Sequence, residues 1–337
     1  MESDFKKIEL KNCNVLVTGA GGFIGSHLTE HIVKQGANVK VFVRYNSRDD
    51  RGQIEYLPRE IQDALEIHWG DLRDAKSVFN AVKRCEIVFH LGALIAIPYS
   101  YVNPADYAQT NILGTTNLLN ACLEYGVKKV VHTSTSEVYG TAQYVPIDEK
   151  HPLQGQSPYS ASKIGADMMA ESFYRSFGLP VAIIRPFNTY GPRQSTRAII
   201  PTIITQALSN KEIRLGSLSP TRDLNFVYDI VRAFIHIVQS PKAVGNVINI
   251  GSGKEISIGE LVKKIGLLMN KETIVSQDPD RIRPDKSEVE RLLCDNRKAY
   301  EIVGWKPEVD LDEGLGLTIE WIRDNLQRFK RIDKYTV

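Results

Sequence analysis

Short apolar runs alternate with amphipathic stretches along most of this 337-residue chain. Helical spacing of apolar residues between successive runs is typical of βαβ units, whose parallel strands are covered by helices. The sequence therefore predicts an α/β fold built on a doubly wound parallel sheet. The seven predicted strands are residues 14–17, 39–43, 67–69, 87–90, 129–133, 181–184 and 247–250.

The pattern changes after Gly191 and Pro192, where shorter elements interrupted by prolines begin and lead to a predicted last helix over about 311–328. The strand at 247–250 and the helix before it, from about Tyr228, are expected to return to the sheet. The two parts of the chain are therefore interleaved. We predict a sheet domain of residues 1–190 and 226–256, and a smaller α/β domain of residues 191–225 and 257–337.

A glycine-rich segment, Thr-Gly-Ala-Gly-Gly-Phe-Ile-Gly at 18–25, lies between the first predicted strand and a predicted helix over 26–35. Gly19 suits a tight turn, Gly22 lets the backbone approach phosphates, and Gly25 lets the helix pack closely on the strand. The helix N-terminus favours an anion. A lone glycine pattern is weak evidence, but this placement favours a Rossmann-type dinucleotide site over an incidental turn.

Composition and charge narrow the class of protein. Lys and Arg number 42 against 40 acidic residues, so the formal charge of +2 gives no sign of nucleic-acid binding. The four cysteines have no metal-ligand spacing, which argues against zinc and against a disulfide framework. A charged N-terminus and the lack of a long apolar run indicate neither secretion nor a membrane span. We expect a cytoplasmic enzyme.

Tyr159 and Lys163 are four residues apart in a segment that reads as a helix after Pro158, so their side chains share one face. A tyrosine, with a reference pKa of about 10, must be acidified to act as a base near neutrality, and a neighbouring ammonium supplies part of this effect. Such a pair also occurs by chance on amphipathic helices. Together with the glycine turn, it favours a catalytic pair.

Hydroxyl groups and one carboxylate follow the strand at 129–133, at the end that faces the ligand crevice in open α/β sheets. Thr135 is a candidate to hydrogen-bond a substrate hydroxyl, and Glu137 is a candidate general acid or base. The alternative for Glu137 is a surface carboxylate that caps a turn. His132 is interpreted as a core imidazole with satisfied hydrogen bonds.

Several motifs together resemble the extended short-chain dehydrogenase/reductase family of nucleotide-sugar enzymes, over about residues 12–325. Within this family, the stretches at 97–101, 133–143 and 151–159 look like the 4,6-dehydratases of legionaminic-acid-type pathways, which act on a nucleotide-linked N-acetylglucosamine. The motifs that carry the family resemblance are the glycine segment, Gly70-Asp71-Leu72, Tyr159-x-x-x-Lys163, Arg185-Pro186-Phe187-Asn188, Tyr190-Gly191-Pro192-Arg193, and Arg222-Asp223 through Val227-x-Asp229.

The resemblance implies a mechanism of C4 oxidation, elimination of water across C5 and C6, and hydride return to C6. Tyr159 would deprotonate the C4 hydroxyl, and Glu137 would remove the C5 hydrogen. The implied catalytic residues are Thr135, Ser136, Glu137, Tyr159 and Lys163. The implied cofactor-binding residues are Gly19, Gly22, Phe23, Ile24, Gly25, Arg44, Asp71, Leu72, Leu91, Ala93, Tyr159 and Lys163, and the implied nucleotide-diphosphate contacts are Asn188, Arg222 and Arg283.

One departure from the family pattern leaves alternatives open. Many 4,6-dehydratases have an Asp-Glu pair in this loop, but Ser136 stands at the Asp position here. GDP-mannose dehydratases and UDP-glucuronate decarboxylases share the Thr-Ser-Glu order, and the decarboxylases are the second reading. A 4-epimerase would not need Glu137, and a non-catalytic nucleotide-binding regulator would not need the Tyr159 and Lys163 pair.

The sequence also leads to expectations about the cofactor and the oligomeric state. The second predicted strand ends in Arg44 where NAD enzymes of this fold usually carry an acid for the adenosine ribose. Arg44 suits a 2′-phosphate, so NADP is favoured, although an arginine stacked on adenine would also allow NAD. The resemblance implies a homodimer formed through apolar faces of the helices near 104–125 and 159–177. The nucleotide base, uracil or guanine, stays open.

Overall fold

The computed structural model describes residues 6–209, 212–282 and 284–329, and its centre is a parallel sheet of seven strands in the order β11-β6-β5-β4-β1-β2-β3. All seven predicted strands lie in this sheet, so the predicted fold class is confirmed. The described strands are β1 (Asn14–Thr18), β2 (Asn38–Arg44), β3 (Leu65–Gly70), β4 (Ile87–His90), β5 (Lys129–Thr133), β6 (Val181–Pro186), β7 (Asn188–Tyr190), β8 (Glu212–Leu215), β9 (Thr221–Arg222), β10 (Leu224–Phe226), β11 (Val247–Ile250), β12 (Ile256–Ser257), β13 (Ile274–Gln277) and β14 (Arg291–Leu292).

Helices cover both faces of the sheet. The described α-helices are α1 (Phe23–Lys34), α2 (Arg59–Asp63), α3 (Ala75–Val82), α4 (Ile97–Val102), α5 (Pro104–Tyr107), α6 (Gly114–Glu124), α7 (Pro158–Phe177), α8 (Ile199–Ser209), α9 (Val227–Gln239), α10 (Ile258–Leu268), α11 (Arg297–Val303) and α12 (Leu311–Asp324). None of the helices in these described ranges is long and apolar enough to cross a bilayer.

Side chains that alternate between the two faces of the sheet divide the hydrophobic core into two layers. Val15 and Val17 of β1 pack on one side of the sheet with residues of α1 and α9, whereas Leu16 packs on the other side with residues of α3, α6 and α7. Because successive side chains of a strand point to opposite faces, one strand contributes to both layers. The helices are thereby fixed relative to the strand ends at which the predicted site residues lie.

The second half of the chain forms a further apolar cluster in which α8, α10 and α12 pack around short strands. As predicted, β11 returns to the large sheet beside β6, and α9 packs against β5 and β6. The division into two interleaved domains stays a prediction.

Three helices differ from the sequence-based expectation. The first helix begins at Phe23 and not at 26, because Gly22 caps it. The helix expected over 104–125 contains a π-helical turn, Ala108–Leu113, between α5 and α6. The last α-helix ends at Asp324, where Asn325 donates its side-chain N–H to the Trp321 carbonyl at 2.9 Å, and a 3₁₀ turn follows.

Candidate active site

The glycine segment forms a tight loop between β1 and α1. Gly19 has a φ of +72°, a conformation that favours glycine. A side chain at Gly19 would have its Cβ 2.7 Å from the backbone carbon of Leu91, and one at Gly25 would have its Cβ 2.1 Å from the Gly19 carbonyl oxygen. Gly22 caps α1 without a side chain over the first turn. This glycine-lined cradle fits a dinucleotide pyrophosphate beside the N–H groups of Phe23, Ile24 and Gly25.

Other predicted cofactor residues lie at neighbouring strand ends. The segment with Leu91 and Ala93 follows β4, and the Leu91 N–H donates to the Thr18 carbonyl at 3.2 Å. Leu72, which follows β3, is buried and contacts the positions of Gly92 and Gly114. The structure therefore brings these positions to the same edge of the sheet as the glycine loop.

Arg44 ends β2 with an exposed side chain, and Asp71 follows β3. The Asp71 carboxylate accepts hydrogen bonds from the Arg73 guanidinium at 2.9 and 2.6 Å. These hydrogen bonds lower the pKa of Asp71, and the charge of Arg44 adds a smaller contribution in the same direction. Arg44 is therefore close enough to Asp71 for its charge to act on this carboxylate.

Tyr159 and Lys163 lie in the first turns of α7. Ser157 caps this helix together with Ser160, and Pro158 stands in the first turn, which is why the helix begins here. The two site residues are buried, and the Lys163 Nζ donates a 2.6 Å hydrogen bond to the Thr133 carbonyl. Burial lowers the pKa of Lys163 to about 8.

The environment of Tyr159 differs from the sequence-based expectation. Burial raises the pKa of its phenol above the ordinary value, and a hydrogen bond with the Thr135 side chain offsets only part of this effect. The acidification expected from Lys163 does not set this pKa, because removing the phenolate from water is the largest contribution and Lys163 is not among the groups that influence Tyr159 most. Sequence spacing predicts which groups are neighbours, but not how deeply they are buried.

Glu137 lies in a 3₁₀ turn, Ser136–Tyr139, directly after β5, and Thr135 caps this turn by accepting the Glu137 backbone N–H at 3.2 Å. Ser136 is buried, whereas Glu137 is partly exposed. The negative charge of Glu137 contributes to the raised pKa of Tyr159. The Glu137 carboxylate is therefore close enough to Tyr159 for its negative charge to disfavour the phenolate.

A buried polar cluster, which the sequence analysis did not predict, lies behind these residues. The Asp167 carboxylate, four residues after Lys163, accepts hydrogen bonds from His132 Nε2 at 3.2 Å, Ser134 Oγ at 2.5 Å and Arg185 Nη2 at 2.8 Å. His132 is fully buried, as expected of a core residue, but the expectation that its hydrogen bonds are satisfied is wrong, because its Nδ1 has no hydrogen-bond partner. The four-residue spacing from Lys163 is a sequence signal that could have drawn attention to Asp167.

Asn111 is a second residue that the sequence analysis missed. It lies in the π-helical turn and is buried, and its Nδ2 donates to the Leu94 carbonyl at 2.9 Å and to the Ser162 hydroxyl at 2.9 Å. Its Oδ1 accepts the Leu94 N–H at 2.8 Å. One amide thus ties the segment after β4 to α7. A π-helical turn is often found at functional sites, but no sequence pattern announced this one.

The predicted substrate-binding residues are in different situations. Asn188 begins β7, and its side-chain oxygen is buried without a hydrogen-bond partner. Arg222 is buried and donates to the Glu288 carboxylate at 3.2 Å, so this guanidinium is already paired within the chain. Arg283 lies outside the described residues.

The fold and the site define a class of protein: an α/β enzyme with a dinucleotide cradle next to a buried Tyr-Lys pair. A family model described as GDP-mannose 4,6 dehydratase matches residues 16–318. The chain belongs to this family of NAD-dependent nucleotide-sugar dehydratases and epimerases, within the extended short-chain dehydrogenases/reductases.

The relatives that match the chain include proteins named as dehydratases and proteins named as epimerases. A dTDP-glucose 4,6-dehydratase of Streptomyces antibioticus is 33% identical over 317 residues, 93% of each chain. A putative UDP-glucose 4-epimerase of Methanocaldococcus jannaschii is 33% identical over 321 residues, 92% of this chain and 99% of the relative.

Two solved structures also superpose over most of the chain. DesIV, a dTDP-glucose 4,6-dehydratase from Streptomyces venezuelae solved with NAD and TYD bound, has a TM-score of 0.83 and 29% identity, and the match covers 95% of this chain and 100% of that one. A UDP-N-acetylglucosamine 4-epimerase from Methanobrevibacter ruminantium in complex with UDP-N-acetylmuramic acid has a TM-score of 0.84 and 31% identity, with coverage of 94% and 99%.

Proposed function

We propose that this enzyme is a 4,6-dehydratase that converts UDP- or GDP-linked N-acetylglucosamine to the 4-keto-6-deoxy sugar. The observation that carries the proposal is the position of Glu137, whose charge acts on the Tyr159 phenol from the turn after β5. C4 epimerisation needs only the base and the lysine. Elimination needs, in addition, a group that removes the C5 proton, and a carboxylate next to the catalytic tyrosine is suited to this task.

The first step requires a base for the C4 hydroxyl. Tyr159 takes this proton as the phenolate, which the hydrogen bond with the Thr135 side chain favours. Lys163, one helical turn away on the same face of α7, would add a positive charge near the phenolate. When bound, a nicotinamide dinucleotide would supply the hydride acceptor for C4 and the hydride donor for C6. The glycine cradle and the segment with Leu91 and Ala93 hold it in place.

The second step uses the acidity of the C5 hydrogen beside the new C4 ketone. Glu137 removes this proton, the C5–C6 double bond forms, and the C6–O bond breaks. The protonated Glu137 then gives its proton to the departing hydroxyl, so that water leaves and the carboxylate is regenerated. When hydride returns to C6, C5 takes up one proton from solvent, and Tyr159 releases to solvent the proton that it took from the C4 hydroxyl. The single carboxylate therefore serves as base and acid, because Ser136 stands where many dehydratases have an aspartate.

The nucleotide is held from the second half of the chain in this proposal. The side-chain N–H of Asn188 and the guanidinium of the buried Arg222 would donate to the nucleotide diphosphate, as would Arg283. A guanidinium suits this task because it binds phosphate oxygens bidentately. Arg222 would exchange its pairing with Glu288 for the diphosphate.

For the cofactor, we propose NADP, because Arg44 ends β2 where an acid would select NAD. DesIV was solved with NAD, and Arg44 stacked on adenine would also permit NAD here. Denaturing the purified protein and identifying the released dinucleotide by mass tests the preference. Arg44→Ala should weaken NADP binding far more than NAD binding, whereas Arg48→Ala, on the exposed loop after β2, should change neither. Equal losses for both dinucleotides in Arg44→Ala would contradict the proposal.

The reaction is tested by incubating the enzyme in D₂O with UDP-N-acetylglucosamine, GDP-N-acetylglucosamine or UDP-glucuronate and recording product masses and NMR spectra. A dehydratase yields a product lighter by one water, with deuterium at C5. An isomeric product without deuterium would show a 4-epimerase, and loss of carbon dioxide from UDP-glucuronate would show a decarboxylase.

A matched pair of variants tests the residue that carries the proposal. Glu137→Gln should abolish deuterium incorporation at C5 while leaving dinucleotide binding unchanged, because the amide cannot accept the proton. Glu124→Gln, at an exposed position at the end of α6, should behave like the native enzyme. Undiminished exchange in Glu137→Gln would remove this residue from its proposed role.

A further inference from the structure

The charged groups buried near Lys163 include more cations than carboxylates. Asp167 is fully buried, and Tyr159, Lys163 and Asp167 share one face of α7 at four-residue spacing. The Asp167 Oδ2 accepts a hydrogen bond from the Arg185 guanidinium of β6 at 2.8 Å. One buried carboxylate therefore pairs directly with Arg185 and lies one helical turn from a second buried cation, Lys163, on which its charge acts.

Other ionisable groups around this cluster do not replace Asp167. His90 of β4 and His132 of β5 are fully buried, and burial lowers the pKa of both imidazoles, so neither adds charge near neutral pH. Glu137 acts on Tyr159 from the 3₁₀ turn, and Glu149 interacts with Arg185 from the side of Tyr139. Neither of these carboxylates is among the groups that influence Lys163 most, whereas Asp167 is.

We propose that Asp167 is a positioning residue for the catalytic lysine: its carboxylate, shared between Arg185 and Lys163, keeps the Lys163 ammonium charged beneath Tyr159. This inference rests on the role of Lys163 in the proposed function. It assigns the buried cluster a task in the chemistry, beyond holding α7 against β5 and β6.

Of the two cations near Asp167, Lys163 can lose its proton and Arg185 cannot. An arginine stays charged in proteins, because its pKa lies above 12. A lysine becomes neutral when burial is not compensated. Burial already lowers the pKa of Lys163 to about 8, and Asp167 acts in the opposite direction. Without the Asp167 charge, Lys163 is the group that would become neutral, and it would no longer favour the Tyr159 phenolate.

A purely structural cluster would give a different result. Ser134, Tyr139 and Arg185 are linked by hydrogen bonds of 3.3 and 2.7 Å, and this network alone would explain why the residues are buried together. In that case, removing the Asp167 charge would lower the stability of the fold but would leave the titration of Lys163 unchanged. The titration of Lys163 therefore separates the two explanations.

The test measures Lys163 directly, by NMR of protein with ¹³C-labelled lysine side chains, using Lys163→Met to assign the signal. The isosteric variant Asp167→Asn should lower the titration midpoint of Lys163 by at least about one pH unit. Asp63→Asn, at an exposed position in α2, should leave the midpoint where it is in the native protein. This measurement needs no substrate, so it is decided separately from the proposed dehydration.

A second variant predicts a shift of opposite sign. Arg185→Gln removes the other buried cation near Asp167 and should raise the midpoint, and the double variant Asp167→Asn/Arg185→Gln should lie between the two single variants. If Asp167→Asn does not fold, Arg185→Gln carries the test by itself. An unchanged midpoint in either folded single variant would overturn the inference.

The consequence for catalysis is measured as the pH dependence of nicotinamide reduction with UDP-N-acetylglucosamine. The alkaline limb of the rate profile should move to lower pH in Asp167→Asn and to higher pH in Arg185→Gln. A uniform loss of rate at every pH in both variants would indicate a structural role and contradict the proposal.

Discussion

The closest backbone contact in the cofactor cradle leads to the sharpest prediction. An alanine Cβ at position 25 would lie 2.1 Å from the Gly19 carbonyl oxygen, whereas real Cβ contacts below 3.0 Å are essentially never seen, so Gly25→Ala requires a displacement of at least about 0.9 Å. Both atoms that must separate belong to the cradle: one is in the turn after β1 and the other in the first turn of α1. Making room for the alanine Cβ would therefore distort the cradle itself.

The expected loss of affinity can be worked from this displacement. An N–H that binds a phosphate oxygen at about 2.9 Å would be moved to about 3.8 Å, which is beyond hydrogen-bond distance. Each hydrogen bond to a charged group contributes roughly 1.5–3 kcal/mol. Losing two of them weakens dinucleotide binding by about 3 kcal/mol or more, which is at least about a hundredfold.

The assay is calorimetric titration of NAD and NADP, together with urea unfolding of the free protein. The matched control is Gly316→Ala, in the exposed face of α12, where a Cβ would have no neighbour within 4 Å. This control should bind the dinucleotide normally and gain about 0.5–1 kcal/mol of stability, because alanine favours a helix over glycine. If Gly25→Ala binds within threefold of the native protein, the steric reasoning is refuted.

Three further predictions concern the base, the acid stability and the assembly. Tyr159→Phe should bind the dinucleotide but reduce it roughly 10²–10⁴ times more slowly, as seen in single-turnover absorbance; native rates would exclude Tyr159 as the base. Burial lowers the pKa of His27 in the folded protein to about 4. As the pH falls below 6.5, the imidazole therefore becomes protonated in the unfolded chain before it does in the folded protein, and the free energy of unfolding decreases by up to roughly 3 kcal/mol by pH 4. His27→Gln, which can still donate to the Pro192 carbonyl, should reduce this acid loss in urea titrations at pH 7 and 4.5, and an identical loss would contradict the assignment. Met168→Arg, on the face of α7 where Met168 is 44% exposed, should convert the predicted homodimer to monomers in light scattering, and a native monomer would refute the dimer.

Much of the fold followed from local patterns. The seven apolar runs all became strands of one sheet, and the glycine segment became the turn between β1 and α1, because strand and helix periodicities act over a few residues. The same reasoning located Tyr159 and Lys163 on one helix face. It could not locate Asn111 or Asp167 as parts of the site, because their partners lie on other elements.

The sequence by itself therefore determined the α/β class, the order in which strands and helices alternate, and the spacing of side chains within each element. Only the tertiary structure decided the charge environment. Asp167 meets His132 and Arg185 across three elements, Arg222 meets Glu288 across 66 positions, and burial raises the pKa of Tyr159 where sequence reasoning expected it to fall. The physical reason is that local geometry depends on neighbouring residues, whereas desolvation and ion pairing depend on every element that packs around a group.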